Sequence, residues 1–181
     1  MGTRALIKVF DVDGEEICTI YTQTDGYPDG WMLDVARFLS ERKLVNGFNK
    51  YDVVNGMNDL VAQIVTLLKL KDFEVLKHYI MKKKSEYFHN DPSDEVHGMI
   101  LAGGIYVMPA GTKDVDEEWV YHIKPDDAYV SAMKGGCLFG VEGGIIIEVY
   151  RPIEMFNSSN GLKLVWKGTP KEYVDEFGSK E

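Results

Sequence analysis

The residues from Ala5 to Gln23 carry the pattern that most restricts how this chain can fold. Two segments rich in strand-forming residues, ALIKVF and EICTIYTQ, flank the turn sequence DVDG. β-branched and aromatic residues are typical of β-strands, and Asp13-Gly14 favours the positive backbone angles of a tight two-residue turn. The sequence therefore predicts that the chain begins with a β-hairpin.

Alternation gives the two faces of this hairpin different roles. The predicted cross-strand pairs are Phe10–Ile17, Lys8–Thr19, Leu6–Tyr21 and Arg4–Gln23. One face is apolar and is predicted to join the core through Ala5, Ile7, Val9, Cys18 and Ile20. The other face is mixed, and it carries Arg4, Lys8, Thr19, Tyr21 and Gln23 together with Leu6, Phe10 and Ile17. Cys18 is therefore expected to be a buried thiol that packs as a small apolar group.

Helical spacing dominates the next part of the chain. Apolar residues recur at this spacing in residues 30–42 and 58–70, which predicts an amphipathic helix followed by a nearly apolar central helix. A third helix is predicted over residues 73–84, with Asp72 as its N-cap and the lysines at 82–84 in its last turn.

The sequence changes character after a polar loop at residues 89–98. Strands are predicted in MILAGGIYVMP, EEWVYHIK, AYVSAMK, GIIIEVY and LKLVW. Thr169, Pro170 and Glu172 then form the capping signature of a short final helix. Helices and strands segregated in this way predict a single α+β domain over residues 1–181. In that domain an antiparallel sheet, starting with the hairpin, has helices packed on one face.

Charge and hydropathy argue against several classes of partner. With 20 Lys and Arg against 29 Asp and Glu, the net charge is −9, which opposes general binding to nucleic acid and to anionic membrane surfaces. No apolar run approaches the roughly 20 residues of a membrane helix, and Met1–Arg4 does not begin a signal peptide. A cytoplasmic protein without membrane association is predicted.

No complete catalytic or cofactor motif is present. The glycine-rich segments lack the lysine of a phosphate-binding loop, GxGxxG and GxSxG are absent, and no Ser or Cys stands out as a nucleophile. His122 is interpreted as a surface or edge histidine, and Asp126-Asp127 as turn residues. Metal-ligand spacing is also missing from the polar group His89, Asp91, Asp94, Glu95 and His97. We therefore predict no catalytic residue, no metal site and no cofactor.

The segment TDGYPDGW, between the hairpin and the first helix, is richer in aromatic and acidic groups than a connector requires. On the predicted register, Arg4 and Gln23 are neighbours at the open end of the hairpin, with Tyr21 one step away and Asp25 and Tyr27 following. A guanidinium, an amide, two phenols and a carboxylate can together hold a small polar ligand or a partner's backbone. These five residues form the predicted ligand-binding site. The structural alternative is two consecutive turns in which Arg4 pairs with Asp25.

The segments GTRALIKVFD, TDGYPDGW and GGIYVMPAGTKDVDEEWVY resemble a family of small uncharacterised hypothetical proteins from prokaryotic, phage and viral genomes. The resemblance covers Gly2 to about Tyr121 and resumes weakly in LVWKGTPKEYVDEF. It implies no particular reaction, although it suggests a phage or viral protein. The chain departs from the family pattern after Pro28, where residues 29–31 stand in place of a glycine-rich turn, and in a longer charged segment at residues 71–96.

These observations favour a non-catalytic binding protein that recognises a small polar ligand or a protein partner. One alternative is an enzyme acting on a nucleotide or phosphorylated metabolite, with Arg4 and Lys8 binding the anion and Asp25 acting as base. The other is a homo-oligomeric assembly protein, such as a homodimer joined through Leu6, Phe10 and Ile17. A deep cleft at the hairpin would favour a ligand, whereas a flat apolar patch would favour a protein interface.

Overall fold

A computed structural model describes residues 2–47, 52–84, 104–136 and 139–178, with residues 72–84 described as helix without their side chains. These residues form nine strands and four helices. The strands are β1 Ala5–Phe10, β2 Glu16–Thr22, β3 Lys43–Asn46, β4 Val53–Asn55, β5 Ile105–Met108, β6 Trp119–Pro125, β7 Val141–Gly143, β8 Ile145–Glu154 and β9 Asn157–Gly168. The helices are α1 Trp31–Ser40, α2 Gly56–Lys84, α3 Asp127–Lys134 and α4 Pro170–Phe177.

Two sheets organise the described chain. The larger has six strands in the order β5-β2-β1-β6-β8-β9, and it is antiparallel except where β1 and β6 run parallel. The smaller has the order β4-β3-β7, and none of its three short strands was predicted. The predicted α+β fold, with a mostly antiparallel sheet that starts with the β1–β2 hairpin, is confirmed.

The hydrophobic core lies between one face of the six-stranded sheet and the helices. The five hairpin residues predicted to face the core are all buried there: Ala5, Ile7, Val9, Cys18 and Ile20. Helix α1 buries Val35 and Leu39, and α2 buries Leu60 and Ile64 against the same face. Each of these large apolar side chains stabilises the fold by about 1.5–3 kcal/mol relative to exposure.

The hairpin turn is one residue longer than predicted. The Gly14 N–H donates to the Asp11 carbonyl at 3.2 Å, and the Asp11 N–H donates to the Glu15 carbonyl at 2.9 Å. Only Gly14 has a positive φ in this turn, at 81°. This geometry is a three-residue loop with a glycine in the left-handed region, so the predicted two-residue turn is wrong.

A bulge in β2 compensates for the longer turn. Phe10 lies opposite Glu16, and the register then shifts between Val9 and Phe10, so Ile17 has no partner in β1. The predicted pairing therefore fails at Phe10 but is confirmed for Lys8–Thr19 and Leu6–Tyr21. The bulge also brings the Glu16 carboxylate to the side of the sheet that carries Lys8.

Two predicted elements differ in the structure. Residues 128–134, predicted as a strand, form most of helix α3, because the Asp126 carboxylate accepts a hydrogen bond from the Tyr129 N–H and caps the helix. The two helices predicted over residues 58–70 and 73–84 are one continuous helix, α2, so Asp72 lies in its interior instead of capping a new helix. The predicted final helix and its capping box at Thr169 are confirmed.

Candidate functional site

A row of polar side chains crosses the sheet face that points away from the helices. The strand registers place Thr19, Lys8, His122, Glu148 and Lys167 side by side on β2, β1, β6, β8 and β9. Three of the five side chains in this row are buried, namely those of Thr19, Lys8 and Glu148. Buried polar groups in such a row must satisfy one another, and any that do not are candidates for function.

The hairpin end of the row is closed by the loop at residues 109–118. The Lys8 ammonium donates to the Thr112 carbonyl at 2.8 Å and to the Glu16 carboxylate at 2.9 Å. The other Glu16 oxygen accepts from the Gly111 N–H at 2.8 Å. Burial raises the pKa of Glu16, but the bonds from Thr19, Gly111 and Lys8 outweigh it, and the pKa lies below its usual value. Lys8 and Glu16 thus bind the loop to the sheet.

A pocket of about 320 Å³ opens beside the middle of the row, at His122. The pocket lies between the β1–β2 turn, strands β6 and β8, and the start of α3. Its walls are formed by Phe10, Asp11, Val12, Gly14, His122, Lys124, Pro125, Asp127, Val130 and Tyr150. It combines aromatic and aliphatic surface with polar groups from four elements, so a small molecule bound there would meet both kinds of surface.

Glu148 organises the charge beside this pocket. Its carboxylate accepts from the Lys124 ammonium at 2.7 Å and the Tyr150 hydroxyl at 2.7 Å, and the Lys167 ammonium lies 3.1 Å away. Burial raises its pKa, yet these bonds lower it to about 2 overall. Burial and the bond to Glu148 raise the pKa of Tyr150 to about 12. Glu148 is therefore ionised at neutral pH, and Tyr150 is a neutral hydrogen-bond donor.

His122 is the least satisfied group in the row. Its ring lies between the rings of Phe10 and Tyr150, at centroid distances of 4.7 and 4.5 Å. Its Nδ1 is buried and has no hydrogen-bond partner among the described residues. Burial, together with the charge of Lys124, lowers its pKa to about 4. The imidazole is therefore neutral at pH 7, and the 3.8 Å approach of Nδ1 to Glu148 is not an ion pair there.

The five predicted site residues lie at the opposite end of the hairpin from this pocket. Arg4 and Tyr21 lie close enough for their charges to interact: burial raises the pKa of Tyr21, and the Arg4 charge offsets part of that rise. The Arg4 guanidinium pairs with Asp116 at 2.8 Å, not with Asp25. The β1–β2 ladder ends at Ala5–Thr22, so Arg4 and Gln23 do not pair in it.

The remaining predicted residues, Gln23, Asp25 and Tyr27, are exposed on the loop that leads to α1. Two hydrogen bonds from buried tyrosines hold the backbone of this loop in place. The Tyr121 hydroxyl donates to the Gly26 carbonyl at 2.7 Å, and the Tyr173 hydroxyl donates to the Pro28 carbonyl at 2.9 Å. Tyr27 is half exposed above these bonds. The loop is thus a well-anchored surface, separate from the pocket.

The pocket residues His122, Lys124 and Tyr150 were not identified from the sequence. The interpretation of His122 as a surface or edge histidine is wrong, because β6 lies inside the sheet between β1 and β8 and most of the side chain is buried. One available signal was the isolated Glu148 in the apolar strand GIIIEVY, since a charge in such a strand needs partners.

The apolar patch proposed for a homodimer is not exposed in the structure. Leu6 is fully buried, and Phe10 and Ile17 are partly buried. The described part of the chain has no group of three or more His, Cys, Asp or Glu residues placed to hold a metal ion. The polar group from His89 to His97 lies outside the described residues.

Among the helices that the structure describes, none has the length and apolar character needed to cross a bilayer. Comparison of the chain with protein-family models, curated proteins and solved structures gives no match.

Proposed function

We propose that the protein binds a small polar ligand in the pocket beside the β1–β2 turn. The pocket itself is the observation that carries this proposal. Its volume of about 320 Å³ lies at the lower end of the range of about 300–1,000 Å³ that is usual for ligand sites. A metabolite with a single ring, or an open chain of similar size, would fill it.

The polar groups in the wall support a polar ligand over a purely apolar one. At neutral pH, His122 is uncharged and can exchange a hydrogen bond, while Asp11 and Asp127 offer carboxylates. The rings of Phe10 and Tyr150 supply stacking surface. These groups come from β1, β6, β8 and α3, so the folded sheet holds them in place before a ligand arrives.

The structure offers less support for binding a phosphorylated ligand through Arg4 and Lys8. Both cations have carboxylate partners inside the protein, Asp116 for Arg4 and Glu16 for Lys8. Withdrawing Lys8 from its buried pair would leave Glu16 without a cation. Ligand binding in the pocket requires no such rearrangement.

A ligand screen on a blocked pocket tests the proposal. We expect ligand-observed NMR with a metabolite library to find compounds that bind the wild-type protein and lose binding to Val130→Trp, which fills the pocket from α3. Ala128→Trp is the matched control, because Ala128 is exposed on the same helix and does not line the pocket. Hits that bind Val130→Trp and Ala128→Trp equally well would contradict the proposal, provided that both variants retain the wild-type amide spectrum.

A second candidate function is recognition of a protein partner by the residues Arg4, Tyr21, Gln23, Asp25 and Tyr27. The anchoring of the loop by Tyr121 and Tyr173 favours it, since a rigid loop presents Tyr27 at low entropic cost. Affinity capture from the host, repeated with Tyr27→Ala and Arg4→Ala, tests this role. Partners captured equally by both variants would exclude these two residues from the interface. The cytoplasmic location and the link to phage or viral genomes stay predictions.

A further inference from the structure

We infer that the ligand of this pocket is an organic cation, an amine or quaternary ammonium compound of metabolite size. This inference rests on the proposed function, because it specifies the chemistry of the ligand in the same pocket. It follows from the charges at the pocket rim and from the aromatic surface of the walls.

The rim of the pocket carries two carboxylates. Asp11 and Asp127 line it from the β1–β2 turn and from the first turn of α3. Neither carboxylate forms an ion pair with a described residue. One oxygen of Asp11 accepts from the N–H groups of Asp13 and Glu15, both at 2.9 Å, which fixes the orientation of the carboxylate. Two negative charges at the entrance, one of them held in a fixed orientation, attract a cation and repel an anion.

The ammonium that the described residues place in the pocket wall is already engaged. Lys124 donates to Glu148 at 2.7 Å, and Glu148 also has Lys167 at 3.1 Å. An anionic ligand would have to compete with Glu148 for Lys124 while facing Asp11 and Asp127. A neutral His122 adds no positive charge that could offset this repulsion.

The aromatic wall suits a cation. The Lys124 ammonium lies 5.2 Å from the centroid of the Phe10 ring, which is within the range of a cation–π interaction. The protein's own cation thus already lies over one ring, and the ring of Tyr150 also lines the cavity. Aromatic surface next to carboxylates is the combination by which proteins recognise ammonium groups.

Choline and 3,3-dimethylbutan-1-ol provide a matched pair of probes, because they have the same shape and differ in charge. Titration of the ¹⁵N-labelled full-length protein is expected to show choline binding about tenfold more tightly than the alcohol, at the amides of residues 10–14 and 122–130. Asp127→Asn and Asp11→Asn are each expected to weaken choline about threefold to fivefold and to leave the alcohol unchanged. Both substitutions keep the size and one acceptor oxygen of the side chain.

The two lysines that contact Glu148 can test whether positive charge in the pocket wall weakens the binding of a cation. Lys124→Met removes an ammonium from the pocket wall and is expected to strengthen choline binding more than Lys167→Met does, since Lys167 contacts the same carboxylate outside the pocket. Weaker binding to Lys124→Met than to Lys167→Met would overturn the inference.

Three further outcomes would overturn it as well. If choline and the alcohol bind equally, or if acetate binds more tightly than either, the pocket binds ligands but does not select a cation, and the proposed function stands. If none of these probes shifts the pocket amides even at high millimolar concentration, the inference of a cationic ligand fails, but the proposed function is not contradicted by that result. The proposed function is then decided by the library screen with Val130→Trp.

Discussion

His122 and Glu148 are neighbours in one row of the sheet, yet their environments favour opposite charge states. Glu148 keeps its charge because Lys124, Lys167 and Tyr150 all point at it. His122 stays neutral because it is buried between two rings with Lys124 close by. A buried ionisable group without a hydrogen-bond partner favours its neutral form, whereas a buried carboxylate that accepts several hydrogen bonds keeps its charge.

This difference predicts how stability depends on pH. The pKa of His122 falls from 6.5 in the unfolded chain to about 4 in the folded protein, so unfolding takes up a proton between these values. Stability should therefore fall as the pH drops from 6.5 towards 4, by at most about 3 kcal/mol. Glu148, with a pKa lowered from 4.5 to about 2, adds a loss only below pH 4.5. The charged and titratable groups around His122 are Lys8, Glu16, Lys124, Glu148 and Tyr150.

Urea unfolding of the wild type and His122→Gln at several pH values between 7.5 and 4.5 measures this effect. We expect the variant to lose less stability over that interval than the wild type. Equal pH dependence of the two proteins would mean that His122 does not titrate in this window.

The Lys8–Glu16 pair gives a prediction at the closed end of the row. Lys8→Met leaves the partly buried Glu16 without a cation and removes the bond to the Thr112 carbonyl, so it should cost roughly 2 to 4 kcal/mol. The double variant Lys8→Met/Glu16→Leu should recover most of that loss, because no unpaired charge remains. A double variant as unstable as Lys8→Met alone would show that the pair stabilises the protein by more than the mutual neutralisation of its two buried charges.

Among the elements, helix α3 shows best where sequence patterns fail. The sequence pattern predicts AYVSAMK to be a strand, but a short, largely apolar segment of this kind suits either structure. Asp126 decides the outcome. One of its oxygens caps α3 at the Tyr129 N–H, and the other accepts from the Gly144 N–H just before β8, both at 2.7 Å. A single side chain thus ties the helix that lines the pocket to the adjacent strand.

Replacing this cap tests its role in the element. Asp126→Ala is expected to destabilise the protein by about 1 to 3 kcal/mol, because it removes a cap and leaves the Gly144 N–H without its acceptor. Asp127→Ala is the control, since Asp127 is exposed and does not cap the helix. Thermal unfolding compares the two, and equal stability would contradict the bridging role of Asp126.

For the molecule as a whole, the sequence predicted the fold better than it predicted the candidate site. Alternation in the hairpin identified its core face, and the capping box identified α4, because both signals are local. The polar row depends on which strands become neighbours. The parallel pairing of β1 with β6 brings Lys8 next to His122 across more than 100 residues of chain, and no local pattern contains that information.

The exposed groups around the TDGYPDGW loop were visible in the sequence, whereas the pocket forms only when the β1–β2 turn meets β8 and α3. These two surfaces lie at opposite ends of the same hairpin, so a single measurement can distinguish them. Backbone amide shifts in ¹H–¹⁵N NMR spectra, recorded while the tightest compound from the library screen is added, should change first at residues 10–14, 122–124 and 127–130. Shifts concentrated instead at residues 23–31, with the pocket amides unmoved, would contradict the account.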